Sequence, residues 1–108
     1  EFLIMSIKIA LLSTQEQIIS DVREMVSGDN VVAYVFNNPH KLSVQTPLLL
    51  EEDKDDFNDN RSVQVSLTPW ILVTSDKDVP VSPSNVVALV EPLTSVREMY
   101  EEKVNADD

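Results

Sequence analysis

The stretch STQEQIISDVREMVSGDN, residues 13–30, decides the fold. Its apolar side chains have the i, i+1, i+4, i+7, i+8 spacing of an amphipathic helix: Ile18, Ile19, Val22, Met25 and Val26. Thr14 and Gln17 have the spacing of a capping box, and Gly28 stands where a glycine would end a helix. However, the stretch lies between two strand-like runs, SIKIALLS and NVVAYVF. It is therefore either a helix between strands or the middle strand of an all-β protein.

The rest of the chain predicts short strands and one terminal helix. Alternating or β-branched runs predict strands over residues 6–13, 30–37, 62–74 and 85–91. Asn37-Asn38-Pro39 predicts the end of the 30–37 strand, and the two prolines of 76–84 predict turns. Ser95 and Glu98 form a capping box before an apolar stripe, which predicts a helix over 94–103.

Length and composition indicate one domain over residues 1–108. Hydrophobic residues make up 43% of the chain, enough for a modest core. The chain has no cysteine, which excludes disulfides and thiolate metal sites and fits a reducing cytoplasm. No apolar stretch approaches the roughly 20 residues of a membrane span. The opening EFLIM lacks the features of a signal peptide, and we expect translation to start at Met5.

The net charge of −11 is concentrated in two acidic segments. Residues 51–60 contain six acids and one lysine, and residues 101–108 contain four acids and one lysine. The eight basic residues are scattered singly, whereas nucleic-acid affinity rests on clustered lysine and arginine. We therefore expect no DNA partner and no strong nonspecific binding to nucleic acid.

Four stretches together resemble a family of small phage proteins: IKIALLSTQEQIISDVREM, NVVAYVFNNPHKLSV, SLTPWILVT and VPVSPSNVVALVEPLTSVREMYEE. The family is the Sm-like proteins of marine cyanophages and related tailed phages. The resemblance implies a strongly bent five-stranded antiparallel barrel in which residues 17–26 form the second strand. It also implies a homo-oligomeric ring of about five to seven subunits in the cytoplasm of an infected bacterium.

In the Sm arrangement the fourth strand of one subunit pairs with the fifth strand of its neighbour. Here these strands are SVQVSL and NVVALV, neither of which contains a charged residue. Left open, such edges would be prone to aggregation. The implied interface residues are Val63, Val65, Leu67, Val86, Ala88 and Val90.

The Sm family also implies a nucleotide pocket, which is degenerate in this chain. Asp29 and Asn30 stand in the first pocket loop without an aromatic residue between them, and Ser84 and Asn85 replace the arginine or lysine turn of the second. Gln15 stands where typical Sm domains have a glycine. SGDN is more typical of a simple hairpin turn than of a binding loop. We expect RNA binding, if any, to be weak.

For the other candidate sites, a structural role is a better interpretation than a functional one. His40 is the only histidine, which argues against a catalytic or metal role. Asp56, Asn58 and Asn60 have the alternate spacing of calcium ligands, but a solvated acidic loop over 47–61 is the better interpretation. Trp70 is expected in the core or at an interface rather than as a stacking platform. We expect no catalytic residue, cofactor or metal, and no membrane partner.

The sequence thus predicts a non-enzymatic, ring-forming binding or assembly module with weak RNA binding or an RNA-processing role. The alternative is a structural or protein-binding phage component with no nucleic-acid role. A βαβ small-ligand domain is a third hypothesis and requires residues 15–27 to be helical.

Overall fold

A computed structural model describes residues 2–45 and 64–106. Its elements are β1 (Phe2–Leu12), β2 (Gln17–Ser27), β3 (Asn30–Gln45), β4 (Gln64–Pro69), β5 (Asp78–Val81), a 3-10 turn (Pro83–Asn85), β6 (Val86–Val90) and α1 (Thr94–Ala106). The predicted class, mainly β with a C-terminal helix, is confirmed. The six strands form one antiparallel sheet.

The sheet is open at both sides in the described part of the chain. Its order is β4-β3-β2-β1-β6, and β5 also pairs with β3. β4 pairs with residues 40–45 and β5 with residues 34–37, so both lie in line along the same side of β3. β4, β5 and β6 each pair with a single strand among the described residues.

The stretch with helical spacing is strand β2, and its pattern has a structural cause. β2 is the middle strand of the sheet, and both of its faces are covered. Ile18 and Val22 are fully buried in one core cluster with Phe36. Ile19, which points to the opposite face, is fully buried in a second cluster. Adjacent apolar residues therefore reflect burial on two faces of a strand, and the helical alternative for 15–27 is wrong.

The strand predicted to end at residue 37 instead continues to Gln45 as β3. Pairing with β2 shifts between Ile19↔His40 and Asp21↔Asn37, so Asn38 and Pro39 lie opposite the single residue Ser20. This is a β-bulge, with Asn38 in the left-handed conformation at φ 50°. The bulge accommodates a proline that a regular central strand would exclude. Asn37-Asn38-Pro39 therefore marks a bend and not a strand end.

Two further boundaries differ from the prediction. Over residues 62–74, the described strand covers only Gln64–Pro69, and residues 70–74 form bends and turns. Asp78–Val81, predicted as a turn, forms strand β5. Pro80 is tolerated there because β5 pairs only with β3 among the described residues and is therefore an edge strand. The predicted acidic loop over 47–61 lies outside the described residues, as does Val63.

Helix α1 covers one face of the sheet. Val96 and Tyr100 of the helix are buried against three strands, where they meet Ile19, Leu42 and Leu67. The opposite face holds the cluster around Phe36, to which β5 and β6 contribute Val81, Val79, Val86 and Leu89. One face of the sheet is therefore covered by α1, and the other is covered by side chains that the sheet's own strands contribute.

Candidate functional site

Asp29 and Asn30 lie in the β2–β3 hairpin. Ser27 pairs with Asn30, so Gly28 and Asp29 form a two-residue turn. Gly28 has φ 63°, which a primed hairpin turn requires at its first central position. Asp29 and Asn30 are exposed, and their side chains have no hydrogen-bond partner within the described residues. Their geometry is that of the hairpin turn that the sequence also suggested.

Ser84 and Asn85 lie in the 3-10 turn between β5 and β6. Asn85 is fixed to the β1–β2 turn, because its backbone oxygen accepts from the Ser13 amide at 2.8 Å and its Oδ1 accepts from Ser13 Oγ at 3.4 Å. The Ser84 amide donates to Ser82 Oγ at 3.3 Å. Within the described part of the chain, no hydrogen bond joins this turn to Asp29 or Asn30. The four residues therefore occupy two separate turns.

Gln15, the residue at the Sm glycine position, adopts a conformation that favours glycine. Its φ is 78°, and its amide donates to the Leu12 carbonyl at 2.8 Å within the β1–β2 turn. A residue with a Cβ is strained in this region. The strain at Gln15 therefore lies in the β1–β2 turn.

The expected interface residues divide between core and surface. Val65 and Leu67 of β4 pack beneath α1, with Leu67 only 7% exposed, and Val86 packs against the Phe36 cluster. Ala88 is half-buried, whereas Val90 is 51% exposed. Most of these side chains therefore stabilise the subunit itself. The outer backbone edges of β4 and β6 have no partner in the described sheet and are available for pairing with another strand.

Apolar side chains are exposed next to both edges. Directly after β4, Ile71, Leu72 and Val73 are 40%, 75% and 94% exposed. In β6, Val87 is 64% exposed. The sequence predicts Ile71, Leu72 and Val73 as part of a strand, because no sequence pattern distinguishes an apolar turn from an apolar strand. Val87 is not among the predicted interface residues.

Trp70 contributes to the core, as expected. Its ring lies 6.2 Å from that of Phe36, centroid to centroid, and it packs against the Phe36 cluster. The segment that follows folds back over the β3 bulge and encloses an open cavity of about 340 Å³. Asn38, Pro39, Ile71 and Asp76 are among the residues that line it.

A buried polar network connects α1 to the bulge. The Tyr100 hydroxyl donates to the backbone oxygens of Asn37 and Asn38, at 2.9 and 3.0 Å. Ser20 Oγ also donates to the Asn37 oxygen at 2.9 Å, and His40 Nδ1 lies 3.0 Å from the Asn38 oxygen. Burial raises the pKa of Tyr100 to about 12. The network satisfies the carbonyl groups that the bulge removes from the strand ladder.

His40, the only histidine of the chain, is buried beside Tyr100. It is 5% exposed, and its ring meets the Tyr100 ring edge-on at 5.7 Å. Its Nε2 is buried without a hydrogen-bond partner in the described part of the chain. His40 therefore contacts the Tyr100 network through its ring and its Nδ1 atom.

Charged groups in residues 2–45 and 64–106 are dispersed. A hydrogen bond and ion pair with Lys8 lower the pKa of Glu91, which follows β6. Asp21 and Glu101 line a second cavity, of about 310 Å³, beside α1. In these same ranges, no group of three or more histidine and acidic residues is placed to hold a metal ion. Nor does any helix there have the length and hydropathy needed to cross a membrane.

Comparison with known protein families gives a match over most of the chain. Residues 5–105 match a family described as "Family of unknown function (DUF6561)". No curated protein matches the chain.

Proposed function

The chain belongs to DUF6561, and we propose that it is a non-enzymatic assembly module whose copies join by pairing β4 of one with β6 of the next. The product is a closed Sm-like ring that presents its loops to a binding partner. The observation that carries this proposal is the pair of open edges: β4 and β6 each have one strand neighbour in the described sheet.

The composition of the two edges favours strand pairing. β6 is VVALV, and β4 contains no charged residue. Charges and prolines along a strand protect natural edge strands, because unpaired backbone groups recruit other strands. β5 has such protection in Asp78 and Pro80, whereas β4 has a proline only at its last position. β4 is therefore the better partner for β6.

A head-to-tail contact between two different edges generates rings or filaments. The Sm-like resemblance of the sequence favours closure, since Sm subunits close into rings through their fourth and fifth strands. In this chain β4 and the last strand β6 take those places. Closure would also leave neither β4 nor β6 with an open edge.

RNA is at most a weak ligand in this proposal. The Asp29–Asn30 and Ser84–Asn85 turns carry neither a stacking aromatic nor a basic side chain, and each subunit has a charge of −11. Base stacking contributes roughly 1–3 kcal/mol per base, and phosphate contacts need cations. A protein or peptide partner is the alternative that these turns leave open.

Light scattering tests the assembly directly. At micromolar concentration we expect a solution mass that is a multiple of the 12.1 kDa subunit mass. Ser66→Lys on β4 and Val90→Lys on β6 each place a charge on an exposed edge position, and each should lower the association constant at least tenfold. Asn105→Lys makes the same charge change on α1 and should leave the mass unchanged.

Circular dichroism and urea unfolding establish that each variant is folded, since all three sites are exposed. A wild-type protein that is monomeric at all accessible concentrations contradicts the proposal. So does a mass that falls equally in Asn105→Lys, because the effect would then be one of net charge and not of the edges.

A further inference from the structure

We propose that the apolar turn Ile71-Leu72-Val73 of one copy packs against Val87 of the adjacent copy, closing one end of the β4–β6 contact. This inference rests on the proposed function and specifies which side chains complete it. Nothing in the strand pairing alone requires these residues, so the two can be tested separately.

The turn is held in place at both ends, and its exposure is therefore built into the fold. The Trp70 amide donates to the Pro39 oxygen at 3.1 Å, and the Asn38 amide donates to the Lys77 oxygen at 2.8 Å. Between these anchors, Leu72 and Val73 are 75% and 94% exposed. A fixed turn that presents adjacent large apolar side chains to solvent is typical of a contact surface.

Strand direction brings this turn to Val87. All pairings in the described sheet are antiparallel. In an antiparallel β4–β6 pair, the end of β4 at Pro69 lies beside the start of β6 at Val86. The turn that follows Pro69 therefore lies next to Val87.

Val87 is available for such a contact. Val86 and Ala88 face the consecutive residues Leu12 and Leu11 of β1, so Val87 is an extra, bulged residue. It is 64% exposed within the subunit. The bulge thus exposes Val87 at the start of β6, next to the position that the apolar turn of the adjacent copy would occupy.

Charge and size favour a second copy over a different partner. Residues 70–73 and 86–90 contain no charged residue, so this contact brings no like-charged side chains of the two copies together, although the net charge of −11 makes the copies repel one another elsewhere. A stable interface buries roughly 800 Å² on each partner, more than three or four side chains supply. The patch is too small to hold a separate protein, but it adds apolar contact to a strand pairing that supplies the backbone hydrogen bonds.

The absence of cysteine from the chain makes disulfide trapping a clean test. The double variant Val73→Cys, Val87→Cys should give a ladder of covalent oligomers under mild oxidation, and each single variant should give none. Val32→Cys with Val87→Cys is the matched control, because Val32 is also an exposed valine, at 49%, but lies on β3. This control pair should give no ladder.

Light scattering on the same reduced samples separates the two proposals. An oligomeric mass without a Val73–Val87 ladder overturns this inference and leaves the assembly intact. A ladder from Val73→Cys with Val90→Cys in place of Val87→Cys indicates parallel pairing and also overturns it. A monomeric mass overturns both proposals.

Discussion

Replacing Tyr100 by phenylalanine removes one oxygen atom from the junction between α1 and the β3 bulge, and we expect it to lower the free energy of unfolding by about 1 kcal/mol. The ring stays, so its packing against Val96 and the sheet is preserved. What is lost is the hydroxyl that donates to the Asn37 and Asn38 oxygens at 2.9 and 3.0 Å.

The size of the effect follows from what remains at the two carbonyl groups. The Asn37 oxygen keeps the Ser20 hydroxyl as a donor, and the Asn38 oxygen keeps its contact with His40 Nδ1. Neither is left unpaired, so the loss is that of one ordinary hydrogen bond, about 0.5–1.5 kcal/mol, and not the larger cost of a buried orphan. Tyr100→Ala also removes the ring and should cost about 3–5 kcal/mol.

Removing both donors to one carbonyl should cost more than the sum of its parts. Ser20→Ala with Tyr100→Phe leaves the Asn37 oxygen without either side-chain donor. We expect the double variant to exceed the summed single effects by at least about 0.5 kcal/mol. The non-additivity distinguishes a shared network from two independent hydrogen bonds.

Urea unfolding followed by Trp70 fluorescence measures the wild type and the four variants, at one fixed subunit concentration so that association does not enter the comparison. A Tyr100→Phe variant as stable as the wild type would refute the role of the hydroxyl. Strict additivity in the double variant would refute the shared network.

Three further outcomes follow from the structure. Because the pKa of Tyr100 is raised from 10.0 to about 12, the folded state holds this proton more tightly than the unfolded state. The resulting stabilisation is complete below pH 10 and is lost as the pH rises through 12. In urea titrations, Tyr100→Phe should lack this loss of stability at alkaline pH. Gln15→Gly relieves the strain at φ 78° and should raise the free energy of unfolding in urea by about 1 kcal/mol. Gln17→Gly, in β2, should lower it, and equal effects of the two substitutions would contradict the assignment of strain to Gln15. Labelled oligo-U and oligo-A at ~150 mM salt should show no nanomolar binding, and tight binding abolished by Asn30→Ala would overturn the weak-ligand expectation.

Local signals in the sequence determined several parts of the fold. The apolar stripe of Val96, Met99 and Tyr100 predicts the helix, which spans Thr94–Ala106 and so begins one residue before the predicted cap Ser95. Gly28 beside Asp29 predicts the hairpin, and the β-branched run before Asn37 predicts a strand. These signals act within a few residues of one another, because caps, two-residue turns and strand alternation are short-range properties of the backbone.

The candidate site is less determined by sequence. Asp29, Asn30, Ser84 and Asn85 are residue types that suit both turns and polar recognition, and each pair occupies an exposed turn. The sequence resemblance, not a local chemical motif, brought them together as one pocket. Exposure of Leu72 and Val73 could not be predicted either, since apolar composition indicates burial in most proteins.

The local sequence pattern left the identity of β2 and the course of β3 open, and the tertiary structure explains both. Ile18 and Ile19 have the spacing of a helix, and only layers on both sides of the sheet make them a strand buried on two faces. Asn38 and Pro39 end a strand by local rules, but Tyr100, sixty-two residues from Asn38, satisfies the carbonyl groups of the bulge and lets β3 continue. Such partners lie far apart along the chain, so no short window of sequence contains them.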